Sequence, residues 1–160
     1  MDSGVWTTTE IASIDAVFSN EGVACPTGVN LRSAGIWVLP TMKSGSPLFE
    51  GPTADALKIA AEHGVRASLL ADGTKPRFAV KKEAGIVLPT LLIFAQGALQ
   101  VPWSMLANYL TSLSALYAPS TRVRSRLYVD EDAGILEFEY EGPASGLVPA
   151  LREARKIRDA

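Results

Sequence analysis

Residues 122–141 read RVRSRLYVDEDAGILEFEYE, two alternating runs on either side of an acidic turn. In the first run Arg122, Arg124 and Arg126 fall on one face of an extended strand, and Val123, Leu127 and Val129 on the other. In the second, Glu137, Glu139 and Glu141 alternate with Leu136, Phe138 and Tyr140. Period two marks a half-buried strand, because successive side chains leave opposite faces of the pleat. Asp130 to Ala133 supply a short turn, with Gly134 behind it. Antiparallel pairing sets Arg126 against Glu137, Arg124 against Glu139 and Arg122 against Glu141, with Leu127 against Leu136 and Val123 against Tyr140. A one-residue slip would press charge into the core, so the pattern predicts a hairpin in this register. Each exposed Arg–Glu pair contributes only ~0.2–1 kcal/mol, so the ladder selects register and solubility more than it stabilises.

Upstream of the hairpin the charges stop. Residues 1–83 carry eight Lys/Arg and nine Asp/Glu, residues 122–160 carry seven and eight, and residues 84–121 carry none. A spanning helix needs about 20 predominantly apolar residues. Pro89, Gln96, Gly97, Gln100 and Pro102 interrupt this stretch, and no basic cluster flanks it. No membrane span is expected. Burial in the fold and at a subunit contact fits better, since such contacts lose charge at their centre.

The remaining elements follow from periodicity. Residues 7–19 place Ile11, Ile14 and Val17/Phe18 at helical spacing behind a Thr cap, and residues 35–39 form a short apolar strand. Residues 40–52 hold three Pro, two Gly and two Ser and read as a linker. Thr53 can cap a helix over 54–63 that ends at Gly64. Residues 65–71 and 77–82 alternate as strands around the Asp72-Gly73 turn. Residues 86–95 are apolar on both faces, as a strand covered on both sides requires, and Pro89 implies an edge or a bulge. Residues 102–117 form a helix striped by Leu106, Leu110, Leu113 and Tyr117, and 145–158 close the chain as another, with Arg155, Lys156 and Arg158 in its last turn. The expected fold is therefore α+β: an antiparallel sheet in the order helix, three strands, helix, hairpin, helix over 53–160. Residues 1–52 form an N-terminal extension with one helix and a short strand.

Composition bounds the chemistry. The 160 residues are 48% hydrophobic and 20% charged with a formal net charge of −2, a balance unlike that of a basic nucleic-acid binder. The sole cysteine, Cys25, forms no internal disulfide and suits a reducing, cytoplasmic compartment. The N-terminus lacks the basic start and apolar core of a secretory signal. One histidine, His63, excludes a site built on two imidazoles, and its place before Gly64 favours helix capping over catalysis. There is no G-x-G-x-x-G, Walker loop, G-x-S-x-G or C-x-x-C, and Asp130, Glu131 and Asp132 lack the spacing of a calcium loop. No catalytic residue, metal or cofactor is expected.

From Thr53 onward the order of elements resembles the type III secretion chaperone-like fold, including the YbjN-type proteins. The resemblance rests on ALKIAAEHGV, the Asp72-Gly73 turn, WSMLANYLTSLSALY, RLYVDEDAGILEFEYE and GLVPALREARKI. It implies a small acidic homodimer that binds a partner polypeptide without enzymatic activity, with helix 102–117 in the dimer contact. Trp103, Leu106, Tyr109, Leu110, Leu113 and Tyr117 are then the expected interface residues. The competing reading is a small ligand-sensing domain or enzyme with a pocket between the sheet and helix 102–117, where Lys81 and Lys82 attract an anion. A third reading makes the chain a subunit of a larger assembly.

Overall fold

The computed structural model describes residues 4–24, 31, 34–43, 46–70, 77–78, 86–95, 101–131 and 134–159. Its centre is the hairpin of β9 (Arg122–Glu131) and β10 (Gly134–Pro143), but in a register two residues from the expected one. Arg126 faces Glu139, Arg124 faces Glu141 and Leu127 faces Phe138. A shift of two keeps every side chain on its face, so period-two patterning accepts either register and only the turn decides between them. Here β9 runs on through Asp130 to Glu131, which pairs with Gly134. Gly134 adopts φ 123°, open to glycine because it has no Cβ.

On the far side of β10 lies β1 (Val5–Ile11), antiparallel along its whole length. On the far side of β9 lies β8 (Thr90–Phe94), parallel to it. Next come β2 (Ile36–Leu39), antiparallel to β8, and β5 (Ala67–Leu69), parallel to β2. With β7 (Ile86–Val87) parallel to β9, this makes a mixed sheet of seven strands in the order β1-β10-β9-β8-β2-β5. The class is α+β, as expected, but the sheet is not antiparallel and the three-strand meander does not form. Of the expected strand over 65–71, Ala67–Leu69 pair with β2 rather than with a sequence neighbour. A second small sheet joins β3 (Thr41–Lys43), β4 (Ser46–Phe49) and β6 (Arg77–Phe78). Its first two strands replace the expected linker. The Asp72-Gly73 turn lies outside the described residues.

Residues 1–52, expected as an extension, thus supply two strands of the main sheet. The expected helix over 7–19 divides instead. Thr7, Thr8 and Thr9 are β-branched and stiff at χ1, which favours the strand. Helix α1 (Ile14–Glu21) begins only after Ser13, whose side chain accepts a 3.1 Å hydrogen bond from the Ala16 amide, and stops at Gly22 with φ 68°. Where β1 starts against the end of β10, a Cβ on Gly142 would lie 2.4 Å from the Gly4 Cα. The missing side chain is what lets the two backbones close.

The interruption at Pro89 is a bulge. Four steps from Val87 to Leu91 span the three from Arg124 to Leu127, so one extra residue is absorbed where proline offers no ladder donor.

The remaining helices, α2 (Thr53–Glu62), α3 (Trp103–Ser114) and α4 (Leu147–Asp159), pack on one face of the sheet. That core joins Ile36, Leu91, Ile93, Leu127 and Phe138 to Ile59, Leu106, Leu110 and Leu151. On the other face α1 sends Val17 and Phe18 against Trp37, Leu92, Phe94 and Tyr128. Central β8 is covered on both sides, which explains one element of the charge-free stretch: Leu91 to Phe94 have no face on which a charge could reach water. Thr53 is not the α2 cap. Pro52 holds that position, and Thr53 is fully buried with its hydroxyl unpartnered among the described residues. No described helix is long and apolar enough to cross a membrane.

Candidate functional site

Helix α1 covers only part of its face of the sheet. Beside it, the outward residues of β1, β10 and β9 form an open depression of about 350 Å³, floored by the Arg–Glu ladder. The arginines and glutamates meet there because both strands alternate with period two, whichever register the turn selects.

Arg126 is the hub. Its Nη1 donates to Glu21 Oε2 at 2.8 Å and its Nη2 lies 2.9 Å from Glu139 Oε1. Tyr128 Oη donates to the same Glu21 oxygen at 2.5 Å, and Asn20 Nδ2 donates to Tyr128 Oη at 2.8 Å and to Glu137 Oε2 at 2.6 Å. Glu21 and Asn20 come from the last turn of α1, where a carboxylate opposes the helix dipole and needs a cation. That mismatch was the legible signal for Glu21, and sequence reasoning missed it. Three carboxylates, Glu21, Glu137 and Glu139, gather around one guanidinium.

The electrostatics follow from this count. Burial pushes the Glu137 carboxyl up, with Glu139 adding to the rise and the Arg126 charge opposing it. The Tyr128 phenol is raised far above its ordinary value, first by burial and then by its bond to Glu21, so it stays a neutral donor. Burial alone would lower the Arg126 value, but Glu21 and Glu139 outweigh it and hold the guanidinium charged. Arg122 and Glu141 form a looser pair at 3.7 Å, about half exposed. It is diagonal in the observed register. Arg124 faces the depression with no ion pair among the described residues, and burial raises the Glu50 carboxyl on the same wall. This arrangement recognises polar and charged groups. It contains no activated nucleophile.

The expected interface residues lie elsewhere. Leu106, Tyr109, Leu110 and Leu113 are buried in this chain's own core, so they cannot also present a surface to a second chain. The amphipathic stripe is the same in either case, and the sheet took it. Tyr109 Oη donates to the Ala56 carbonyl at 3.1 Å, and burial raises its hydroxyl. These four side chains also fill the space between sheet and α3 where a ligand pocket was expected. Trp103 is half-buried, with the Arg155 guanidinium 4.2 Å from its ring centre and its Nε1 donating to Glu131. Tyr117 is half-buried beyond the end of α3, its hydroxyl raised by burial and then by the Asp55 charge. Lys81, Lys82, Cys25 and Asp132 lie outside the described residues.

One pairing was invisible in the sequence. His63 Nε2 lies 2.9 Å from Ser112 Oγ, joining α2 to α3, and the imidazole meets the Tyr109 ring edge-on. A nucleophile and base stand at this distance, but no carboxylate orients the other ring nitrogen among the described residues. The pair reads as a helix–helix hydrogen bond. No group of three or more His, Cys, Asp or Glu among the described residues is placed to hold a metal. Neither family models, curated proteins nor solved structures match this chain.

Proposed function

We propose that the chain is a non-enzymatic protein-binding module that self-associates through β1, in a reducing, cytoplasmic compartment. The observation that carries this reading is the edge strand itself: seven residues long, five of them exposed, with β10 on one side and no described strand on the other. An unpaired edge offers a row of backbone donors and acceptors to another chain, and proteins that avoid such pairing place Lys or Pro there. β1 has neither, and Val5 at its start is 69% exposed.

The strand is also self-complementary. A two-fold axis through Thr8 sets Thr7 against Thr9, Val5 against Ile11, and Trp6 against Glu10, the one charge of the strand. No like charges meet. The contact thus moves from α3, as first expected, to β1. The likeness to type III secretion chaperones enters only through its implied behaviour, a small homodimer that holds a partner polypeptide without chemistry.

Analytical ultracentrifugation of the full chain over a range of concentrations tests this. The unaltered protein is expected to sediment as a dimer and Thr8→Lys as a folded monomer, because Thr8 is exposed and two lysines would meet at the axis. Thr8→Val keeps the dimer. A monomeric unaltered chain, or a dimer indifferent to Thr8→Lys, overturns the reading.

A further inference from the structure

A second depression, about 390 Å³, lies between α3 and α4 on the helical side of the molecule. Its floor is apolar: Ala107, Val148, Leu151 and the Trp103 ring. Its polar rim consists of Ser104 and three cations, Arg152, Arg155 and Lys156, and none of the lining residues is acidic. Glu131, which is not among the lining residues, accepts the Trp103 indole N–H and so holds the ring in place. Arg155 stacks across the same ring. The wall of the groove is therefore anchored at two points. Arg152 and Lys156, one helical turn apart on α4, are exposed and have no ion pair among the described residues.

We propose that this groove binds a single-chain amphiphilic carboxylate, a free fatty acid, with its chain on the apolar floor and its head between Arg152 and Lys156. Two observations choose this occupant. The volume falls within the range of about 300–1,000 Å³ typical of small-molecule sites and at its lower end, too small for a docked helix. The charged residues that line the depression are all cations, which suits an anion that also carries hydrocarbon. Paired cations on an amino-acid surface hold a carboxylate through charge-assisted hydrogen bonds, while apolar contact supplies affinity. A cationic rim at the end of α4 also suits the helix dipole, but the dipole does not require the apolar floor beneath it. The groove shares no residue with β1, so this proposal and self-association stand or fall separately.

Isothermal titration calorimetry of the full chain with decanoate, below its micellar range, tests the inference against decanol and acetate. Decanoate is expected to bind saturably, one per chain, with decanol and acetate each roughly tenfold weaker or more, since each lacks one half of the recognition. Arg152→Gln/Lys156→Gln should weaken decanoate binding roughly tenfold while leaving the unfolding midpoint in place, because both side chains are exposed. Lys58→Gln, an exposed cation on α2, should change nothing. Decanol binding as tightly as decanoate, an equal loss in Lys58→Gln, an unaffected double variant, or no saturable binding would each overturn the proposal.

Discussion

Replacing Leu110 by alanine separates the two readings of the apolar stripe on α3. The side chain is fully buried, in contact with the sheet core. Removing three carbons at ~0.8 kcal/mol each gives about 2.4 kcal/mol of lost transfer free energy. The cavity left between sheet and helix raises this toward ~3–5 kcal/mol, because a packed interior relaxes only in part. For a chain of this size that corresponds to a fall in Tm of roughly 10 °C. The assay is urea unfolding followed by circular dichroism at two protein concentrations tenfold apart, with native mass measured alongside. Loss from an intrachain core gives the same midpoint shift at both concentrations and leaves native mass unchanged. A residue at a subunit contact would give a concentration-dependent shift and a smaller assembly. A destabilisation under about 1 kcal/mol, or a change of mass with stability kept, would refute the placement of Leu110 in the core.

Three further outcomes follow from the polar groups. Arg126→Met should cost about 2 kcal/mol at neutral pH by urea unfolding, less than the ~3–5 of a fully buried pair because the guanidinium is partly exposed; no loss would mean that Glu21 finds other partners. Glu137 has a folded-state pKa above its unfolded value, so the folded state holds its proton longer, and stability from this group declines as pH rises from the unfolded carboxylate range near about 4.3 through the raised value. Glu137→Gln should therefore be more stable than the unaltered chain at pH 7 and lose that advantage in acid, as thermal melts across pH will read; an advantage that grows in acid would contradict the sign. Thr53→Val should stabilise by up to about 1 kcal/mol, because a methyl replaces a buried hydroxyl without a partner, and a destabilised variant would mean the hydroxyl is bonded after all.

The hairpin illustrates how far a pattern reaches. Alternation named both strands, both faces and the Arg–Glu ladder, since side-chain direction depends only on residue parity. It left the register open by two residues, since a shift of two preserves parity, and only the pairing of Glu131 with Gly134 fixes it. The buried network around Arg126 escaped for a different reason. Its partners Asn20 and Glu21 are more than a hundred positions away in sequence, and no local period connects α1 to β9.

By itself, then, the sequence determined which residues are apolar on which face, where helices α2, α3 and α4 run, and that residues 84–121 carry no charge. These are local matters of period, caps and breakers. Only the tertiary structure decided what covers each apolar face. Helix α3 turned its stripe onto the sheet rather than onto a second chain, β5 and β8 took parallel neighbours rather than a meander, and residues Val5–Ile11 became the sheet edge rather than part of a helix. The physical reason is the same each time. Burial free energy depends on area removed from water and not on which element removes it, so identical amphipathic faces admit several partners until the whole chain has packed.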